Sequence, residues 1–371
     1  MQQTTKPKGL AKIWREIKRP FKKCMNRLLL DDESRRKMDE FRGFAKTKHV
    51  FVRSADPFHR RYIDYFHRRK GEISELIEKL IVGMDELSCD VVHRICSPYR
   101  FIAENDANCF LGDESHCLAI PLSVMISDRE KEAERSEEVY KNKKVPYAGL
   151  YQEAHCLSDK EKVNLAYHSA YNLRCFSYDS VLSGLKGKDI IDGGAYFGDT
   201  SLAFAVFSPR SVHAFEPNDQ TCAKMISLFS ESGHNELMKV IPKAISRHTG
   251  TISFFGAGKV GDTTLPDVIQ CDKIEVPCIS LDDYCETENP DVGLIKLNIE
   301  GAEYDAIQGA VKTIRKFRPI LAVDLYHTPK DFFEIKPFLE SLDLKYRFFI
   351  RQRRYIYCSA HTSYCLYAWP E

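Results

Sequence analysis

The stretch Asp189–Ala205, DIIDGGAYFGDTSLAFA, decides the fold. A short apolar run ends in an acid. Gly193, Gly194 and Gly198 follow within six positions, and an amphipathic tail comes after. This is the pattern of a strand, a tight loop and a helix. Such a loop can present bare backbone N–H groups to a ligand at a helix start.

The alternation continues downstream. SVHAFEP precedes a helix after Asn218, GLIKLNIE precedes a helix running to Lys316, and PILAVDLYH follows. Cys222, Met225, Ile226 and Phe229 share one helix face, as do Ile307, Ala310, Val311 and Ile314. Strand and helix alternating at this spacing predict an α/β fold, a mainly parallel sheet covered by helices on both faces. The end differs. YRFFIRQRRYIYC and SYCLYAW are two β-rich runs with a short polar segment between them, which predicts an antiparallel hairpin at the sheet edge.

Upstream, residues 30–180 read mainly as helix. Ile73, Leu76, Ile77, Leu80, Ile81, Met84 and Leu87 form one apolar stripe over four turns. CLAIPLSVMI (Cys117–Ile126) reads as a buried strand, Asp128–Lys144 as a solvated helix or connector, and Ser158 with Glu161 as a capping box. The expected division is a basic tail over 1–29, a mostly helical N-terminal domain over 30–180 and the α/β domain over 181–371, with the boundary at the GLKGK loop.

Composition narrows the function classes. The net charge of +1 gives no field for nucleic acid, and 43% apolar residues fit a globular chain. No apolar run is long enough to span a membrane, and no secretory leader is expected. The 13 cysteines include no CxxC pair. Cys271, Cys278 and Cys285 recur every seven residues without histidines at ligand spacing, so reduced thiols of a cytoplasmic protein are expected and no metal site is. The N-terminal run from Lys6 to Arg27 carries nine cations against Glu16. It reads first as a solvated tail; its functional alternative is a peripheral foot on an anionic membrane.

In an open α/β sheet, ligands sit beyond the carboxyl ends of the strands. The residues there are Asp192 to Gly198, then Glu216 to Asn218, Ser246 and Arg247, Asn298 to Glu303, and His327. Glu216 lies 24 positions beyond Asp192, where a carboxylate suits the two hydroxyls of an adenosine ribose. NAD and S-adenosylmethionine share that feature. Asp192 at the strand tip opposes a pyrophosphate and favours a cationic ligand, and the adjacent glycines do not form a strict G-x-G-x-x-G.

IIDGGAYFGDTS, HAFEPN, ISLDDY and LIKLNIEGAEYDAIQGA, in this order, resemble the FkbM family of S-adenosylmethionine-dependent methyltransferases. The resemblance covers roughly Lys188–Ala368. It implies a class I (Rossmann-like) methyltransferase fold of six parallel strands and one antiparallel strand, with methyl transfer usually to oxygen. It also implies that Asp192, Gly193, Gly194 and Gly198 line the methionine end of the donor, with Glu216 at its ribose. The candidate cofactor-binding set is completed by Ala195, Tyr196, Pro217, Asn218 and Asn298. One position departs: the family phrase K-x-D-x-E-G-x-E has Asn298 in place of its Asp, losing a charge.

The candidate catalytic residues are His327, as the base that takes the acceptor's proton, with Asn298 and Glu300. The alternative for His327 is a histidine closing a turn before Pro329, and for Glu300 and Glu303 simple helix-start acids. Asp324 reads as paired or structural. Lys296, inside a buried strand, requires a partner. The Arg- and aromatic-rich tract Tyr346–Tyr357 reads first as an amphipathic edge strand and second as cover for a glycan. The expected function is O-methylation of a small-molecule or glycan acceptor, carbohydrate or glycolipid. Two alternatives stand beside it: a non-catalytic binding protein on a degenerate methyltransferase fold, motivated by Asn298, and a nicotinamide-dependent oxidoreductase.

Overall fold

A computed structural model describes residues 49–53, 57–104, 117–121, 184–255, 273–352 and 364–371. The basic tail, the charged segment Asp128–Lys144 and the Ser158–Glu161 box fall outside the described residues. All described residues save His49 lie in one compact unit, Val50–Glu371.

Its first part runs β1 (His49–Arg53), α1 (Pro57–Arg68), α2 (Ile73–Ile81), α3 (Glu86–Glu104) and β2 (Cys117–Pro121). The α/β part follows: β3 (Asp189–Gly193), α4 (Asp199–Ala203), β4 (Ser211–Phe215), α5 (Asp219–Glu231), β5 (Met238–Ile241), β6 (Ala244–Ile245) and β7 (Gly250–Phe255). Then come β8 (Lys273–Ile279), α6 (Leu281–Glu288), β9 (Val292–Leu297), α7 (Glu303–Gln308), α8 (Val311–Phe317) and β10 (Ile320–Asp324). The chain closes with α9 (Pro329–Ser341), β11 (Tyr346–Gln352) and β12 (Tyr364–Pro370).

Seven strands form the main sheet in the order β11-β12-β10-β9-β3-β4-β5. β3 pairs in parallel with both β4 and β9, and β9 with β10. β12 alone runs the other way, antiparallel to β10 and to β11. The predicted hairpin is therefore present, with its second strand inserted between the first and the rest of the sheet. The chain leaves β3 toward β5 on one side and returns to β9 on the other, so the point where strand order reverses lies between β3 and β9.

Buried strands alternate their side chains between two layers. Ile191, Phe215, Ile295, Leu297, Leu321 and Val323 join one apolar cluster; Ile190, Val212, Ala214, Leu294, Ile320 and Ala322 join the other. Each fully buried Phe, Leu or Ile of this kind contributes about 1.5–3 kcal/mol. The first cluster also contains Tyr62, Phe66, Ile77, Val91, Ile95 and Tyr99, so α1 to α3 share a core with the sheet. α3 also covers the sheet edge: Ser88 Oγ accepts from Ile350 N at 3.0 Å, and the Arg351 guanidinium grips Asp85. A covered edge strand cannot recruit another chain's strand.

Three expected elements are broken. The apolar stripe from Ile73 to Leu87 is two helices, because Gly83 takes φ +73° between them. The helix running to Lys316 divides around Gly309, where an added Cβ would lie 2.3 Å from Ser246 O. The run KVIPKAI (Lys239–Ile245), whose sequence reads as a single strand, splits at Pro242, which has no N–H to continue a ladder, so β5 and β6 join different sheets.

Candidate functional site

The glycine loop fills the reversal point. Gly194 N and Ala195 N both donate to Phe215 O, at 3.1 and 3.0 Å, tying the loop to the end of β4. Gly194 holds φ +70°, and a Cβ there would meet Asn298 O at 1.9 Å. Gly198 holds φ +84°, with Phe229 and Met225 where its Cβ would stand. Only glycine fits either place. Tyr196 is also left-handed, at φ +50°. Its N–H donates to Glu216 Oε2 at 3.1 Å, while Oε1 of the same carboxylate accepts from Asn218 N at 3.0 Å. Asn218 in turn caps α5 by accepting from Thr221 N. Glu216 thus stands at the end of β4, facing the loop, and a carboxylate has about four acceptor sites in all. A glycine floor beside such a carboxylate fits the backbone-lined cradle and ribose contact of an adenosine ligand.

Asp192 is placed differently from the expectation. It is the cross-strand neighbour of Lys296, and Lys296 Nζ lies 2.8 Å from Asp192 Oδ1 with both side chains nearly closed to solvent. Asp192 Oδ2 accepts from Ser201 Oγ at 2.7 Å. The requirement of Lys296 for a partner is met here. The corollary is a correction: Asp192 is already neutralised, so its charge neither repels a phosphate nor waits for a cation.

Packed against the loop, the turn after β9 carries Asn298, Ile299, Glu300 and Gly301. Glu300 is left-handed at φ +55° and Gly301 follows at φ +102°. Glu303 holds this turn: Oε1 accepts from Ile299 N at 2.7 Å and Oε2 from Gly301 N at 2.9 Å. Behind it, His327 Nδ1 lies 2.8 Å from Glu303 Oε1, and His327 Nε2 lies 3.5 Å from Glu300 Oε2. Burial pushes the imidazole toward neutrality, but the charges of Glu303 and Glu300 outweigh it and hold its proton well above the ordinary range. His327 is fully buried behind the turn and faces both carboxylates, so the structure places it as a partner of Glu300 and Glu303. Glu300 keeps a side-chain exposure of 27%.

Two neighbours, Asp331 and Tyr326, are absent from the candidates read from the sequence. Asp331 accepts from Tyr304 N and from Thr328 Oγ; burial and then the Glu303 charge push its carboxyl up to about 8. Tyr326 stacks obliquely on His327 with centroids 4.1 Å apart, and its hydroxyl donates to Asn298 Oδ1 at 3.5 Å. The spacing T-P-K-D, a helix cap, was the available hint for Asp331. Asp324 is buried at the end of β10, as its structural reading requires. The described part of the Tyr346–Tyr357 tract is edge strand: Phe349 stacks on Trp369, and Arg351 serves Asp85. Cys278 and Cys285 lie in separate apolar clusters, and Cys271 is outside the described residues.

Sheet order, reversal-point loop and strand-end acids define a class I methyltransferase domain. Residues 192–357 match the model of the methyltransferase FkbM domain. Among solved structures, it is similar to a methyltransferase FkbM from Methylobacillus flagellatus, at 15% identity and TM-score 0.46, covering 83% of this chain and 61% of that one. The chain therefore spans less than two thirds of that relative's length. It is also similar to an rRNA methylase from Streptococcus thermophilus (13%, TM-score 0.36, 53% of this chain and 94% of that). A third is an O-methyltransferase from Bacillus cereus in complex with SAH (14%, TM-score 0.33, 67% and 94%). No curated protein matches the chain. Strand order and the family match, rather than these superpositions, assign the domain. No described helix is long and apolar enough to cross a membrane.

Proposed function

We propose that the chain is an S-adenosylmethionine-dependent methyltransferase that methylates a hydroxyl oxygen, on a carbohydrate or glycolipid-type acceptor. One observation carries the donor reading: a left-handed glycine loop packed on Asn298 O, with Glu216 hydrogen-bonded to its Tyr196 N–H. The glycine loop from Gly193 to Gly198 would hold the methionine end and Glu216 the ribose hydroxyls. When bound, the donor supplies an electrophilic methyl on a sulfonium.

The chain's residues have three tasks. The loop fixes the line of approach, since alignment of acceptor, methyl and sulfur accounts for much of such a barrier. Glu300, partly exposed on the turn after β9, accepts the hydroxyl proton as the new C–O bond forms and the C–S bond breaks. His327 and Glu303, paired beneath it, hold the left-handed turn that carries Glu300 and Asn298. His327 is a positioning residue in this scheme. The acceptor class rests on the family resemblance alone.

The test is methyl transfer from isotopically labelled donor into a cell extract, followed by identification of the labelled product. Label in a base-stable ether on a sugar supports the reading, and Glu300→Gln should lower the rate at least a hundredfold. Label in protein or RNA, or no label above a Glu216→Gln control, contradicts it.

A further inference from the structure

The least ordinary feature of the site is a lysine inside the parallel sheet. Lys296 sits on β9 directly opposite Asp192 on β3. Its ammonium donates to Gly193 O at 3.1 Å and to Gly194 O at 3.0 Å, and lies 2.8 Å from Asp192 Oδ1 as an ion pair. Gly193 O also accepts from Asn298 N at 3.1 Å. The lysine side chain is 4% exposed and the aspartate closed, so neither is available for solvent exchange.

We propose that Lys296 is the positioning residue of the donor loop. It, and not the donor's ammonium, neutralises Asp192, and it grips the Gly193 and Gly194 carbonyls so that the loop is formed before any ligand arrives. The inference rests on the donor reading above for its ligand, though not for its geometry. A loop already shaped by the protein spares the ligand the ordering entropy of shaping it. The ammonium of the donor must then find its acceptors elsewhere on the rim, among the loop carbonyls and Asn298.

Three variants decide between this and two simpler accounts. Lys296→Met keeps the side-chain length and strands a buried carboxylate, which is strongly destabilising. Asp192→Asn together with Lys296→Met removes both charges. Asp192→Asn alone keeps the grip on the carbonyls. Affinity is read by titration with S-adenosylhomocysteine, and loop order by amide hydrogen exchange at Gly194, Ala195 and Gly198 in the ligand-free protein.

Lys296→Met should weaken binding at least tenfold and speed exchange in the loop at least tenfold. The double variant should recover melting temperature without recovering affinity or protection. Asp192→Asn alone strands the buried ammonium and should lower the melting temperature, while affinity, read on the folded protein, should stay within about threefold of the parent because the two carbonyl contacts of the lysine survive. If affinity and protection return with stability in the double variant, Lys296 only balances a charge and the proposal is overturned. Abolished binding in Asp192→Asn with unchanged exchange in Lys296→Met would overturn it too, placing the donor ammonium on Asp192. Failure of the parent protein to bind S-adenosylhomocysteine would sink the donor reading instead, and the exchange rates would still decide the fate of the clamp.

Discussion

His327 Nδ1 lies 2.8 Å from Glu303 Oε1, with both side chains fully shielded from water. Glu303 spends its other contacts on Ile299 N and Gly301 N, so the pair connects the end of β10 to the strained turn after β9. Non-glycine residues in left-handed backbone persist where surrounding structure over-determines them, and they concentrate at functional sites. Glu300 is such a residue.

The cluster ties stability to pH. His327 has a raised folded-state affinity for its proton, so its contribution is complete below about 6.5 and is lost as pH rises through the folded value. Asp331, pushed up to about 8, also keeps a proton that the unfolded chain releases near 4. Both groups therefore bind more protons when folded, and both make stability fall as pH rises. Each contributes a slope of about 1.4 kcal/mol per pH unit inside its window. Thermal melts from pH 5 to 9 should show a falling melting temperature, and Asp331→Asn should flatten the part below about 8. A rising or unchanged slope in that variant would contradict the assignment.

Tyr62 joins the helical region to the site. Its hydroxyl contacts Leu325 O at 3.0 Å and Thr328 O at 3.2 Å, and accepts from Tyr364 Oη at 2.8 Å. These carbonyls bracket Tyr326 and His327. Tyr62→Phe strips a buried network of its central member and should cost about 1–3 kcal/mol in chemical denaturation. A loss below a few tenths would show that the network is not what docks α1 here.

Gly194 and Gly187 form a matched pair. Both have positive φ, +70° and +74°, but a Cβ at Gly187 meets nothing within 4 Å. Gly187→Ala should lose only the left-handed backbone preference, about 1–2 kcal/mol. Gly194→Ala adds a collision with Asn298 O and should displace the loop, lowering donor affinity at least a hundredfold by titration. Equal affinities in the two variants would remove the loop from the binding site.

Asn298→Asp separates a working site from a degenerate one. Asn298 Oδ1 accepts from Tyr326 Oη, an arrangement that a carboxylate preserves. If Asn belongs to a working site, adding the charge should leave turnover equal or lower. A tenfold or greater gain in turnover would favour the non-catalytic reading of the natural chain.

Much of this was legible in the residues. DIIDGGAYFGDTS is strand, loop and helix because its glycines answer positive φ and close backbone approach, which few other residues tolerate. The hairpin and the need of Lys296 for a partner followed from β-rich periodicity and from the cost of a buried cation. Other features depend on contacts distant in sequence. His327 sits where the end of β10 predicts, yet its partners, Glu300 and Glu303, come from the turn and helix after β9. Tyr62 lies 263 positions from Leu325, and no local pattern links them. The packing of α1 to α3 on the sheet was hidden for the same reason: an apolar stripe shows that a helix is covered, and not by what. The helix breaks at Gly83 and Gly309 were visible as glycines but not as breaks, because a helix interior tolerates a single Gly at about 1 kcal/mol.

The loop and Glu216 together are proposed to hold an S-adenosyl ligand. Isothermal titration of S-adenosylhomocysteine into the parent chain, Gly194→Ala and Glu216→Gln tests it most directly. Glu216→Gln replaces an acceptor oxygen of the side chain that two backbone N–H groups share, at Tyr196 and Asn218, with an amide nitrogen that cannot accept. Saturable one-to-one binding to the parent is expected, weakened at least tenfold in each variant, with NAD failing to compete. No binding to the parent, or equal binding to all three, would contradict it.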